Sequence, residues 1–357
     1  TAVHAAEGWA KTTRRRAVAL VTAGPGVTNA MTGLATARQN GSPLIVLGGR
    51  APERSWGRGA LQEVDHPEFV RPLTRYTATP REPAAAAPTV DAAITAAWQE
   101  PPGVSFVDLP LDVIGRRTPL PDIAPEPTRT RAVAEIPEGL SAVLGAAERP
   151  VVFAGTDLYW EHGEHELRAT CERLGLPVLA NGMGRGLMPA DHPLLLSHAR
   201  RQALGGADVV LVLGAPLDFR LGYGLPPLFG PDATIVHVSL RDEHHNCAEH
   251  LPGRVAVRAS SRAVLAMLDE TLNDPPDQLR RARGAWLGSL RDIEGQALTR
   301  EATFLETARP IGSAWPSRKS VRPTSASGSE PPISVRASRA RSLTSSGVPP
   351  SRPAMSS

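Results

Sequence analysis

The sequence predicts an α/β fold: two open parallel-sheet domains followed by a disordered C-terminal tail. Three observations carry this. Short apolar, partly β-branched runs stop abruptly at glycine or proline and alternate with segments of helical periodicity. The alternation occurs twice, over residues 1–117 and 132–270, on either side of a proline-dense stretch at 118–131. A charged helical linker is expected at 271–310, and beyond it apolar periodicity ends, which marks 311–357 as tail.

At 357 residues the chain is long enough for two or three domains, each with its own core. No run approaches the ~20 apolar residues that a membrane-crossing helix needs, and no signal peptide is visible, so a cytoplasmic location is the default. Cys171 and Cys247 are too few for a disulfide framework and lack metal-ligand spacing, so both read as buried free thiols.

Thr1 to Lys11 reads as a helix. Ala17 to Thr22 (AVALVT) reads as a buried strand, Gly24-Pro25-Gly26 as a turn, and Thr28 or Asn29 as the cap of a helix whose small residues lie close on a sheet. Asn40-Gly41 ends that helix, and the run after Pro43 is the next strand. Strand, helix, strand in this order is a βαβ unit with a right-handed crossover. Ligands of such sheets bind beyond the carboxyl ends of strands, which places Thr22 to Gly26 at a candidate site. The glycine turn lacks the spacing of a dinucleotide fingerprint or a phosphate loop, and alone it would be an ordinary turn. Thr89 to Trp98 is a further helix and VSFVDLP (104–110) the last strand of this part.

Five ordered blocks lift the turn above that reading: GWAK (8–11), ALVTAGPGVTNAMTGLATA, SPLIVLGG, GALQEVDHPEFVRPLTRY (59–76) and VSFVDLPLDV (104–113). Together they resemble the N-terminal pyrimidine-binding domain of thiamine-diphosphate-dependent enzymes of the acetolactate synthase type. RPVVFAG (149–155), LGLPVLANGMGRGLMPADHP (174–193), ADVVLVLGAPLDFRLGYG (207–224) and ATIVHVSL (233–240) resemble the central domain of the same family. The resemblance implies that Thr22, Gly24, Pro25, Gly26, Asn29 and Gln62 line the aminopyrimidine side of thiamine diphosphate. The family's catalytic glutamate would fall just before Thr1, so no residue of this chain takes that role; Glu7 lies two helical turns too late and is expected to be a solvated carboxylate. The family's Gly-Asp-Gly start to a Mg²⁺ and diphosphate domain does not occur in the chain. The chain is therefore expected to be truncated and inactive alone, and its relatives to be homodimers or homotetramers acting on a 2-ketoacid or an acyl-CoA.

Two departures bear on substrate. Acetolactate synthases usually carry Phe before the glutamine and Lys in the DLPKD segment, where this chain has Leu61 and Leu111. The change leans toward the oxalyl-CoA decarboxylase and 2-hydroxyacyl-CoA lyase branch. In the central domain, glycine turns after strands and the Asp-Phe-Arg segment imply nucleotide contacts from Gly155, Gly182, Gly184, Gly214, Asp218 and Arg220, with FAD or ADP as the ligand. Turns in an empty scaffold are an equal reading, which leaves a non-catalytic nucleotide-binding or partner protein as a further alternative.

His244, His245 and His250 have no metal-ligand spacing and read as a solvated loop. Arg14-Arg15-Arg16 likewise reads as a solvated turn and not a nucleic-acid patch. The tail contributes six Arg, one Lys and one Glu to a chain of net charge +3, so residues 1–310 carry about −3 and no nucleic-acid partner is expected.

Overall fold

The chain begins with α1 (Ala2–Thr13), which buries Val3 and Ala10 against the first sheet. There follow β1 (Ala17–Val21), α2 (Pro25–Gln39), β2 (Leu44–Arg50), α3 (His66–Val70), β3 (Tyr76–Ala78), α4 (Pro83–Trp98), β4 (Val104–Pro110) and the short α5 (Leu111–Ile114). In this computed structural model the described residues are 1–119, 137 and 139–307. The tail at 311–357 and nearly all of the proline-dense stretch lie outside them.

The first sheet has the order β1-β2-β4-β3, and every pairing is parallel. The expected βαβ unit is present, with Val18 opposite Ile45 in register. Its helix starts earlier than the sequence suggested. Gly24 is the N-cap, and Pro25 takes the first helical position, where its fixed φ fits and its missing N–H costs no bond. Thr28 is already inside the helix, its hydroxyl donating to the Pro25 carbonyl at 3.3 Å. Gly41, at φ 58°, terminates the helix as expected. The centre of this sheet is packed so closely that a Cβ on Gly48 would lie 2.8 Å from Phe106.

The second sheet is built from α6 (Leu140–Ala146), β5 (Pro150–Ala154), α7 (Thr156–Trp160), α8 (Glu164–Leu174), β6 (Val178–Ala180), β7 (Leu195–Leu196), α9 (Arg200–Gly206), β8 (Val209–Leu213), β9 (Thr234–Val238), α10 (Asp242–Asn246), β10 (Arg254–Val257) and α11 (Ser261–Thr271). Its order, β10-β9-β8-β5-β6-β7, reverses direction at β5, which opens a crevice between β5 and β8 at their carboxyl ends. The central strands β5, β8 and β9 are buried on both faces, by one core around Leu158, Leu167 and Val236 and another around Phe153, Val210 and Phe229. Such burial explains their unbroken apolar runs.

Segment 271–310, expected as a linker, contains α12 (Asp277–Thr307), and this helix is packed on the second sheet domain. Arg283 is 3 % exposed and donates to the carbonyls of Leu144, Ala147 and Leu174, at the ends of α6 and α8. A guanidinium there satisfies orphan carbonyls and complements two helix dipoles. From the same helix, the Glu294 carboxylate accepts the backbone N–H groups of Ser197, His198 and Ala199.

Residues 1–305 form one compact unit that includes both sheets. At the junction of the sheets the Trp160 indole donates to the Asn40 carbonyl at 2.8 Å, and the Tyr159 hydroxyl to that of Lys11 at 2.5 Å. Two expectations are corrected here. Glu7 is buried, accepting from Asn40 Nδ2 at 2.9 Å and pairing with Lys11 at 2.6 Å, because α1 folds this face onto the end of α2. Arg14 is held by Glu164 and stacks 3.7 Å from the Tyr159 ring centroid, so it ties the two domains together.

Candidate functional site

Beyond the carboxyl ends of β1, β2 and β4 lies a cavity of about 480 Å³. Thr22 and Ala23 from the glycine turn form one side, Leu61 and Gln62 another, and Leu111 with Ile114 a third. Gly24 has φ 58°, a conformation that side chains rarely adopt, and a Cβ there would meet the Cβ of Gln62 at 2.9 Å. The turn and Gln62 are thus in direct contact although 38 residues separate them in the chain. Of the six residues expected on the aminopyrimidine side, Thr22 and Gln62 line the cavity and Gly24 backs it. Pro25 and Gly26 on the first turn of α2, and Asn29 at the start of its second, lie outside its walls.

A buried relay holds the turn in place. The Gly24 N–H donates to His66 Nε2 at 2.9 Å, so Nε2 is the unprotonated nitrogen. The Nδ1–H then donates to Asp108 at 2.8 Å, and the other Asp108 oxygen accepts from Arg50 at 2.8 Å. His66 and Asp108 are fully buried, with Arg50 nearly so. Burial lowers the Arg50 pKa, but the Asp108 and Glu53 carboxylates more than offset this and raise it. Arg50 also lies 3.5 Å from the Trp56 ring centroid. Two carboxylates set the loop over the cavity: Asp112 accepts the N–H groups of Glu53 and Arg54, and Glu63 those of Gly57 and Ala60.

In the second domain, a cavity of about 300 Å³ opens at the β5/β8 crevice. Gly182, Gly214, Asp218 and Arg220 all line it, together with Thr156, Asp157 and Arg241. Asn40 and Gly41 reach in from the first domain. Gly155 and Gly184 lie behind the wall, where a Cβ would strike backbone oxygens at 2.4 and 2.3 Å. Charges face the space in pairs: Asp218 with Arg220, and Asp157 with Arg241 at 2.9 Å.

The histidine cluster is not a solvated loop. His245 is 3 % exposed, its Nε2 donating to the Ser239 carbonyl, and His244 accepts or donates at the Ser239 hydroxyl, 2.9 Å away. His237 stacks beside His245 with ring centroids 5.1 Å apart, and burial pushes its pKa down to about 3. Among the described residues, no group of three or more His, Cys, Asp or Glu is arranged to hold a metal. Cys171 is buried as expected and burial raises its thiol pKa, but Cys247 is exposed on the turn after α10.

Comparison with known proteins decides what these sheets are. Residues 1–69 match the family described as thiamine pyrophosphate enzyme, N-terminal TPP binding domain, and residues 138–268 match thiamine pyrophosphate enzyme, central domain. The chain carries two domains of a thiamine pyrophosphate enzyme. Over 243 residues, 66 % of the chain, it is 49 % identical to an acetolactate synthase large subunit of Mycobacterium tuberculosis, covering 44 % of that protein. It is 31 % identical over 349 residues to human 2-hydroxyacyl-CoA lyase 2, with 86 % of the chain and 54 % of the relative covered. The chain thus spans about half the length of these relatives. In fold, 77 % of it superposes on 53 % of benzoylformate decarboxylase from Polynucleobacter necessarius, with a TM-score of 0.66 at 23 % identity.

Within the thiamine pyrophosphate enzyme frame, the residues that sequence reasoning missed are His66, Asp108 and Arg50. The signal was faint. Arg50 closes an apolar strand, Asp108 interrupts VSFVDLP, and His66 sits beside Asp65 before a proline. A charged residue inside an otherwise apolar buried strand needs a partner, and Asp108 was the place to ask for one.

Proposed function

We propose that this chain provides the aminopyrimidine half of a thiamine-diphosphate site, and that the enzyme to which it belongs decarboxylates or joins 2-ketoacids in the manner of acetolactate synthases. The observation that carries the reading is the glycine turn at the end of β1, seated on Gln62 and fixed by the His66 relay inside a region matched as TPP binding. The residues present fit such a group. A cavity of about 480 Å³ has largely apolar walls for a flat heterocycle, while Arg50, Gln62 and the turn backbone supply polar atoms at its edge.

When bound, thiamine diphosphate supplies a nucleophilic carbon and the electron sink for breaking a carbon–carbon bond. Thr22 and Gln62 orient the ring. His66, acting through the Gly24 N–H, keeps the turn from collapsing into the space, and Leu61, Leu109 and Leu111 exclude water from it. No described residue is assigned to the diphosphate or to Mg²⁺. The second cavity is the proposed seat of FAD or ADP, with Asp218 and Arg220 at its polar edge.

One observation favours a second reading. Leu61 and Leu111 are 86 % and 62 % exposed at the cavity mouth, where acetolactate synthases present an aromatic and a cation. An apolar rim suits the acyl part of a 2-hydroxyacyl-CoA or a related thioester better than the carboxylate of a small 2-ketoacid.

The test is titration of the purified chain with thiamine diphosphate and Mg²⁺, read by the fluorescence of Trp56, which contacts Arg50 at the cavity. Saturable quenching that disappears in Gly24→Val is the expected result, with weak affinity and no turnover of pyruvate by this chain alone. Quenching unaltered by Gly24→Val would sink the assignment of the turn. Acetolactate formation from pyruvate, compared with cleavage of a 2-hydroxyacyl-CoA, by the protein in its native context separates the two readings.

A further inference from the structure

A third cavity, of about 360 Å³, lies between β6, β7 and α9 and shares no lining residue with the one at the β5/β8 crevice. Leu179, Leu195 and Leu196 form its apolar wall, and Arg185 and Arg200 reach it from two different segments. The Arg200 guanidinium is half-buried, 5.0 Å from the Phe153 ring centroid. It donates from Nη2 to the Arg220 carbonyl at 2.8 Å, and a carbonyl is no counter-charge.

The surroundings of Arg200 are electrostatically one-sided. Burial lowers its pKa first, then the guanidinium of Arg185; Asp218 opposes, and Arg220 lowers it again. Asp218 is already committed, both its oxygens lying 3.0–3.2 Å from Arg220 Nε. Two carboxylates that reach the adjoining segment are engaged there, Glu294 by the amides of residues 197–199 and Glu301 by His198. Arg200 therefore feels two like charges, Arg185 and Arg220, and one opposing carboxylate that already serves Arg220. Holding like charges together in a partly desolvated place is unfavourable unless an anion joins them.

We propose that this cavity binds an organic phosphate, its dianion held by Arg185 and Arg200 and its apolar body lying on Leu179, Leu195 and Leu196. Paired guanidinium groups match a phosphate in charge and in the planar geometry of their N–H donors. An inorganic anion would leave the leucine wall uncovered, whereas a body of a few carbons fills it. The assignment is independent of whether thiamine diphosphate binds at the first sheet.

The experiment is calorimetric titration of the purified chain with phenyl phosphate, with inorganic phosphate and benzoate as comparison probes. The expected outcome is one phenyl phosphate per chain, bound at least about tenfold more tightly than either comparison probe. Arg200→Gln and Arg185→Gln are each expected to weaken binding about tenfold or more, while Arg241→Lys in the neighbouring cavity leaves it unchanged. Arg185 is exposed, so its variant keeps the test valid if Arg200→Gln melts at a lower temperature. Absence of binding overturns the proposal. So does equal binding of benzoate, or an affinity that falls with Arg241→Lys but not with Arg185→Gln.

Discussion

The two sheets end in cavities at equivalent places, beyond the carboxyl ends of parallel strands, yet the cavities differ in kind. In the first domain the charges are mostly internal: Arg50, Asp108 and His66 face one another beneath the turn, and the space above is walled by leucines and small residues with Arg50 at its edge. In the second, Asp157, Asp218, Arg220 and Arg241 face the space itself. One arrangement uses ionic groups to set backbone geometry, and the other offers them to a ligand. Fold topology chooses where a site lies, while the loop residues choose its chemistry.

The sharpest way to break this comparison is Asp108→Ala. If the first domain's charges are structural, removing the shared carboxylate leaves the buried His66 Nδ1–H without its acceptor and Arg50 with only the more exposed Glu53 and Asp65, at a cost of roughly 3 kcal/mol in urea unfolding. A loss below about 1 kcal/mol would mean that Glu53 and Asp65 suffice to hold Arg50 and that the relay does not set the turn, and the contrast would fail.

Next in size is a pH effect placed in the second domain. Glu161 is buried, accepting from the Ser260 hydroxyl and the Arg262 N–H, and burial raises its pKa to about 7. Because the folded value lies above the unfolded one, its contribution is full below about pH 4.5 and is lost as pH rises through 7. Glu161→Gln mimics the protonated form and keeps an acceptor for both donors. It should stabilise the protein at pH 8 relative to pH 5 by roughly 3 kcal/mol, measured against wild type at each pH by thermal melting. His237 acts in the opposite sense in both proteins: burial holds its folded pKa near 3, so stability falls as pH drops below about 6.5.

A smaller effect is expected at Gly214, whose φ is 64° and where a Cβ would lie 2.7 Å from the Asp157 Cβ and 2.9 Å from the Leu158 nitrogen. Gly214→Ala should cost about 2 kcal/mol or more and displace Asp157 from the crevice. Any ADP binding measured there would weaken together with stability. Unchanged melting would show that the crevice wall yields easily. Leu111→Lys is the mildest test. The side chain is 62 % exposed, so stability should stay within about 0.5 kcal/mol. Its value lies in sharpening the contrast, since it places a cation at the apolar mouth and should favour carboxylate substrates over thioesters in whole-enzyme assays.

The parts of the fold legible in the sequence were those with local causes. Apolar runs broken by glycine or proline located all six of the longest strands of the two sheets, and Asn40-Gly41 marked a helix end because a left-handed residue needs little context. The missed strands, Tyr76–Ala78, Leu195–Leu196 and Arg254–Val257, are short edge elements that exist only because a neighbour pairs with them. The site divides in the same way. The turn at Gly24 and the crevice glycines could be found from their chemistry, since positive φ restricts the residue type.

Partnership, by contrast, is decided at long range. Glu7, His245 and Arg14 looked solvated because their sequence neighbours are polar or small; α1 folding onto the end of α2, and the junction of the two domains, bury or engage them. The Gly24 to His66 bond spans 42 residues and the Arg50 to Asp108 pair 58, separations at which periodicity and propensity carry no signal. The sequence by itself determined the α/β class, the two-sheet division and the turn at the candidate site, because those follow from hydrophobic period and backbone conformation. Tertiary structure alone decided which charges are buried, which are paired and which face a cavity, because that depends on groups brought together only when the sheets close.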